Sequence, residues 1–318
     1  MTSFAFVFPG QGSQAVGMLD AWGDHPVVAE TLREASSALD EDLGHLIHSG
    51  PKEALALTTN TQPVMLVAGV AAWRAWLAEG GATPDVVAGH SLGEYSALVA
   101  AGVLTLAQAA PLVRFRAQAM QQAVPVGTGA MAAVLGMAAD QVIAGCAEVT
   151  ASFGAGSGEC VEAVNFNDPM QTVIAGSKAA VDKACEVLKA NGAKRALPLS
   201  VSAPFHSSLM RPAAEALREK LASVDFATPR IPVLNNIDVV VETTPERIRD
   251  ALVRQAAGPV RWVESVQALK ARGVTTVVEC GPGRVLSGMV KRIAPELVTA
   301  TVYDPATLAD TRQLLNTP

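Results

Sequence analysis

Short apolar runs that stop abruptly at turn residues constrain this chain more than any other feature. The run Phe4–Phe8 (FAFVF) ends at Pro9-Gly10, and 85–89 (DVVAG) ends at His90-Ser91. Two further runs, 231–234 and 275–279, are also followed by turn residues. Successive side chains of a strand point to opposite faces, so a run that is apolar throughout must be covered on both sides. Between the runs lie helical patterns: an amphipathic one over 27–39, a long apolar one over 61–77, and others over 92–101 and 106–123. Strands alternating with helices give a parallel α/β sheet. Hydrophobic residues make up 50% of the chain but aromatics only 4%, so the core is built mainly from Ala, Val, Leu and Ile.

The texture changes at Pro125-Val126-Gly127-Thr128-Gly129. Strands are expected over 130–135, 161–165, 172–175 and 196–199, with helices over 139–148 and 179–190. That β-α-β-β-α-β order is the split βαβ, ferredoxin-like pattern. It predicts a small inserted domain at 128–199 within a larger α/β domain formed by 1–127 and 200–318. A chain of 318 residues accommodates such a pair. The Gly- and Ser-rich stretch 151–159 is expected to be a loop without chemistry, and no repeat or low-complexity linker is present.

Other function classes are disfavoured. Lys and Arg number 24 against 30 Asp and Glu, a net charge of −6, which argues against nucleic acid as the main ligand. Cys146, Cys160, Cys185 and Cys280 form no CxxC pair, so neither zinc nor a disulfide framework is suggested. The longest apolar stretch, 63–73, falls short of the ~20 residues of a membrane span. With no signal-peptide pattern at the start, the expected location is the cytoplasm.

The chemistry centres on Gly89-His90-Ser91-Leu92-Gly93, a GxSxG sequence between an apolar strand and a helix. This is the context of a nucleophile elbow, in which glycines permit a tight turn exposing the Ser oxygen. A Ser nucleophile needs a base, usually His. His25, His45 and His48 lie in polar sequence and are expected to be exposed. His90 adjoins Ser91, but neighbours on an elbow diverge. His206, on a loop after an apolar stretch and before a helix starting near Ser208, is left as the leading base. The group orienting it is open among Asp238, Glu279 and a backbone carbonyl. The loop Pro9-Gly10-Gln11-Gly12-Ser13-Gln14 lacks a phosphate-binding signature and suits an N–H-donating loop over an active site. Arg116, flanked by Val113 and Met120 on its helix face, is either a structural ion-pair partner or a binder of an anionic substrate.

Together these residues resemble the malonyl-CoA:acyl-carrier-protein transacylases of bacterial fatty acid synthesis. The resemblance rests on FPGQGSQ at 8–14, GHSLGEYSAL at 89–98, RAQAMQQAVPVGTGAMAAVLG at 116–136, NFNDPMQTVIAG at 165–176, APFHSSLM at 203–210, PVLNNID at 232–238 and ECGPGRVLSGMVKRI at 279–293. It implies an α/β-hydrolase-like large domain carrying the ferredoxin-like insert. It also implies malonyl transfer by a ping-pong route through a malonyl-serine ester, without metal or other cofactor. The partners implied are malonyl-CoA, or CoA, and a holo acyl carrier protein docking across the cleft between the domains. By position, Ser91 is the nucleophile, His206 the base, and the N–H groups of Gln11 and Leu92 the oxyanion hole. Arg116 holds the malonyl carboxylate, and the backbone carbonyl of Gln255 accepts from His206. His90 and Asn167 line the pocket, and Phe205 favours malonyl over methylmalonyl. Lys194, Arg195, Arg284, Lys291 and Arg292 are candidate carrier contacts. A serine hydrolase, a malonyl transferase of another pathway and a non-catalytic partner domain are the rivals.

Overall fold

Phe4–Phe8 forms strand β1 at the centre of a five-stranded parallel sheet. The computed structural model describes residues 3–201 and 203–316. The sheet is completed by β2 (Val86–Gly89), β7 (Val233–Leu234), β8 (Thr276–Cys280) and β9 (Val298–Val302), in the order β7-β2-β1-β8-β9. Both faces of β1 are buried, as its sequence requires. Phe4, Phe6 and Phe8 enter one core cluster, while Ala5 and Val7 enter another on the opposite face. The first face is covered chiefly by α1 (Pro26–Leu39), the 21-residue α4 (Thr58–Ala78), α5 (Gly93–Ala100) and α6 (Leu106–Gln122). Phe6 packs between Trp73 and Trp76 of α4, with ring centroids at 5.5 and 5.2 Å. The second face is covered by α11 (Trp262–Ala271) and α12 (Val285–Ile293). Among the described residues, no helix is long and apolar enough to cross a membrane.

A separate antiparallel sheet contains β3 (Gly129–Leu135), β4 (Val161–Asp168), β5 (Gln171–Ser177) and β6 (Arg195–Pro198), in the order β4-β5-β3-β6. Helices α7 (Ala139–Ser152) and α8 (Lys178–Ala190) pack on one face around Val142, Ile174, Val181 and Leu188. The other face, with Met131, Val164 and Val173, packs on Met120, Phe205 and Met210. Strand β4 is tied to the segment just before α11 of the larger body: Phe166 N–H donates to Val260 O at 3.0 Å, and Val260 N–H donates to Val164 O at 2.8 Å.

Several expectations shift. The strand expected to end at 165 runs to Asp168, because its polar residues Asn167 and Asp168 have partners on the other sheet's layer. The helix expected over 139–148 continues to Ser152, into the segment expected to be loop. Only Val233 and Leu234 of the 231–234 run pair in the sheet. After His206 comes a 3-10 turn, Ser208–Met210, before α9 (Arg211–Ala222) begins. The small helices α2 (Leu43–Ser49) and α3 (Lys52–Ala56), with α10 (Pro245–Ala256) and α13 (Pro305–Asn316), complete the chain.

Candidate active site

The turn between β2 and α5 forces its own composition. Ser91 sits in the left-handed region at φ 52°, costly for a side-chain-bearing residue unless the surroundings fix it. A Cβ on Gly89 would lie 1.9 Å from the carbonyl carbon of Gly93, and one on Gly93 would lie 2.0 Å from the carbonyl oxygen of Phe8. Only glycine fits at either place. Asn236, just beyond β7, braces the turn from outside: its Nδ2 donates to Gly89 O at 2.6 Å, and its Oδ1 accepts from Ser91 N–H at 2.7 Å.

His206 lies on the loop after β6, whose Phe205 packs under the inserted sheet against Met120. Its Nε2 lies 2.7 Å from Ser91 Oγ, and its Nδ1 lies 2.9 Å from the carbonyl oxygen of Gln255. A carbonyl only accepts, so Nδ1 carries the proton and Nε2 presents a lone pair to the Ser hydroxyl. Burial, with the positive Arg116 as a second cause, pushes the His206 pKa down to about 3. The imidazole is therefore neutral and able to take a proton. Its loop is tied to β4 by Glu162, which accepts from the N–H and the hydroxyl of Ser208.

Neither carboxylate considered as the orienting group serves His206. Asp238 is held by both terminal nitrogens of Arg254 at 2.7 and 2.6 Å. Glu279 accepts from the N–H groups of Leu286 and Ser287 and so caps the start of α12. The backbone carbonyl of Gln255 takes the place instead.

Arg116 projects from α6 with only 2% of its surface exposed. Its Nη1 donates to Gln62 Oε1 at 2.8 Å, and its Nη2 donates to Gln255 Oε1 at 2.9 Å and Ser91 Oγ at 3.2 Å. The guanidinium also lies over the Tyr95 ring, 5.5 Å from its centroid. No carboxylate of the described residues pairs with it within ion-pair distance, which removes the structural ion-pair reading. A buried cation with neutral partners, 3.2 Å from a nucleophile, is poised for an anionic acyl group.

The remaining candidates surround this centre. Gly10 packs so closely on the elbow that a Cβ there would lie 2.5 Å from His90 O and 3.7 Å from Leu92 N. This brings the Gln11 loop beside the start of α5, where backbone N–H groups converge. Gln11 itself is exposed and donates weakly to Thr58 Oγ1 at 3.4 Å. His90 Nε2 lies 2.8 Å from Asn167 Oδ1 at the end of β4, and its ring packs on Trp262. Phe205 is buried with Met120 and Met210 beneath the antiparallel sheet. His45 and His48 are exposed, whereas His25 is half-buried with its Nε2 3.6 Å from Glu79. The basic candidates Lys194, Arg195, Arg284, Lys291 and Arg292 are all exposed. Arg292 donates to the buried Asp168 at 2.6 Å, and Arg284 donates to Tyr303 Oη at 2.7 Å.

The acyl transferase domain family matches residues 5–303. The chain belongs to this acyl transferase family. Among its relatives, the malonyl CoA-acyl carrier protein transacylase of Escherichia coli strain K12 is 51% identical over 315 residues, covering 99% of this chain and 100% of that protein. The crystal structure of an acyl-carrier-protein S-malonyltransferase from Burkholderia pseudomallei 1710b superposes with a TM-score of 0.95 at 62% identity, covering 98% of this chain and 100% of the other. A malonyl-transacylase in complex with a type II polyketide synthase acyl-carrier protein superposes with a TM-score of 0.95 at 49% identity, over 98% and 100%.

Three site residues of this acyltransferase escaped the sequence reading. Gln62 is 3% exposed near the start of the long apolar helix α4, and a polar residue leading into that run was the available signal. Glu94 is buried three residues after Ser91. Asn236 is the second Asn of a pair that follows a strand. An acid in the first turn of the otherwise apolar helix that follows the elbow was the available signal for Glu94.

Proposed function

We propose that the protein transfers the malonyl group of malonyl-CoA to the phosphopantetheine thiol of an acyl carrier protein. Ser91 Oγ attacks the thioester carbonyl carbon while its proton passes to His206 Nε2. The N–H groups of Gln11 and Leu92 hold the resulting oxyanion. Collapse expels the CoA sulfur, which takes the proton from His206 and leaves a malonyl-serine ester. The carrier thiol then gives its proton to His206, its sulfur attacks the ester, and collapse returns the proton to Ser91. The scheme calls for no metal or redox cofactor.

One observation carries this reading: the buried guanidinium of Arg116 stands beside the nucleophile with only amide and hydroxyl partners. A hydrolase of neutral esters has no use for it, whereas malonate brings the missing carboxylate. The named relatives support the same substrate and carrier. Phe205 and the His90–Asn167 pair bound the pocket and favour the small malonyl group. In this reading the parallel-sheet body, 1–127 and 200–318, is α/β-hydrolase-like, and 128–199 is a ferredoxin-like insert. The strand order β4-β5-β3-β6 supports that assignment. The setting is fatty acid synthesis in the cytoplasm, and the carrier docks across the cleft between the two bodies.

The test is an intact mass after incubation with malonyl-CoA. A malonyl adduct that disappears on addition of holo carrier protein is the expected result, with none on Ser91→Ala. Release of free malonate as fast as transfer would instead make the protein a hydrolase.

A further inference from the structure

Glu94 lies in the first turn of α5 with 2% of its surface exposed, and no step above uses it. Its Oε2 accepts from Gln255 Nε2 at 2.9 Å and from Asn236 N–H at 3.0 Å. The Gln255 amide is thereby fully engaged. Its nitrogen also donates to Ser91 O at 3.1 Å, and its oxygen accepts from Arg116 Nη2 at 2.9 Å. Ser91 O can only accept, and Glu94 Oε2 already accepts from Asn236 N–H, so the amide is held in this orientation. A flipped amide would set its NH₂ against the guanidinium and its oxygen against two other oxygens. The amide therefore separates a buried acid from a buried cation. A carboxylate bonded directly to Arg116 would occupy the donor edge that a substrate carboxylate needs, whereas a neutral amide oxygen leaves the charge available.

We propose that Glu94 is a positioning residue which, through the side chain of Gln255, aims Arg116 at the acyl carboxylate and so sets the preference for a dicarboxylic acyl group. This rests on the reading of Arg116 given above. Beyond that reading, it gives the Gln255 side chain a role separate from that of its backbone carbonyl.

The experiment compares Glu94→Ala with Glu94→Gln, measuring kcat/KM for malonyl-CoA and for acetyl-CoA. Both variants are uncharged, and only Gln keeps an acceptor for the Gln255 amide. Any shared disturbance of the elbow through Asn236 cancels in the ratio of the two substrates. The malonyl-to-acetyl ratio of Glu94→Ala is expected to fall at least ~10-fold below that of Glu94→Gln, the scale of losing alignment in one charge-assisted hydrogen bond. Most of the fall should appear in KM for malonyl-CoA. Should Glu94→Ala not fold, Gln255→Leu opens the same bridge from its other end, keeps the backbone carbonyl, and carries the same expectation. Equal ratios in the Ala and Gln variants would overturn the proposal. Arg116→Ala, run alongside, separates the two levels. If it collapses the ratio while Glu94→Ala leaves it intact, only the role of Glu94 fails. If it leaves the ratio intact, the reading of Arg116 fails and the proposal with it.

Discussion

His206 works as a base only in its neutral form, and its surroundings hold it there. Its ordinary pKa of 6.5 is lowered to about 3 by burial and by Arg116. Between those values the unfolded chain binds a proton that the folded one refuses, so this group makes stability rise with pH across that window. The same shift keeps the imidazole available in mild acid. Acylation of Ser91, followed by rapid quench in a single turnover, is expected to stay flat from about pH 8 to about pH 5 rather than halving near the usual histidine value. A midpoint near 6.5 would mean that His206 is solvated while it works. His206→Ala should slow acylation and release alike by ~10²–10⁴-fold, because one base serves both steps. Loss of transfer alone, with acylation at the wild-type rate, would assign the Ser91 proton to another group.

At the scale of elements, strand, elbow and helix form one unit whose glycines are dictated by contact. Gly93→Ala puts a methyl 2.0 Å from Phe8 O, backbone that can yield only if α5 slides on β1. A loss of about 1–3 kcal/mol in unfolding free energy is expected, read from urea denaturation, together with loss of the Ser91 adduct. Unchanged stability would mean that the helix can move. This unit was legible in the sequence because each of its signals is local: an apolar run, Gly-x-Ser-x-Gly, then Ala and Leu at helical spacing. His206 was legible by elimination; the apolar surroundings of Arg116 marked the residue, but only the resemblance assigned it a carboxylate. The bracing of the site was not. Asn236 meets Glu94 and Ser91 across 142 and 145 residues of chain, a separation no periodicity encodes. β9 (VTATV) was missed because all but Val302 are half-buried or exposed and most are small or polar. The end of β4 was missed because Asn-Asp resembles a turn until its partners are in place.

For the whole molecule, a net charge of −6 cannot draw an acidic carrier from a distance, so any attraction must be local. All five cations of the original set are exposed, but Arg292 is paired with Asp168 and Arg284 is hydrogen-bonded to Tyr303, so Lys194, Arg195 and Lys291 are the ones to test. Reversing these three charges together should raise the carrier KM about tenfold, since surface pairs contribute up to ~1 kcal/mol each. Acylation by malonyl-CoA should be unaffected, and an unchanged carrier KM would place docking elsewhere. Strand β4 of the insert, meanwhile, is tied to the larger body by the backbone exchange at Val260, the His90–Asn167 contact and the Arg292–Asp168 pair. These bonds set His90 and Asn167 in place when the chain folds. The entropy of fixing them is incurred once, when the chain folds, and not again in each catalytic cycle. What is left to be ordered at each encounter is the incoming thioester alone.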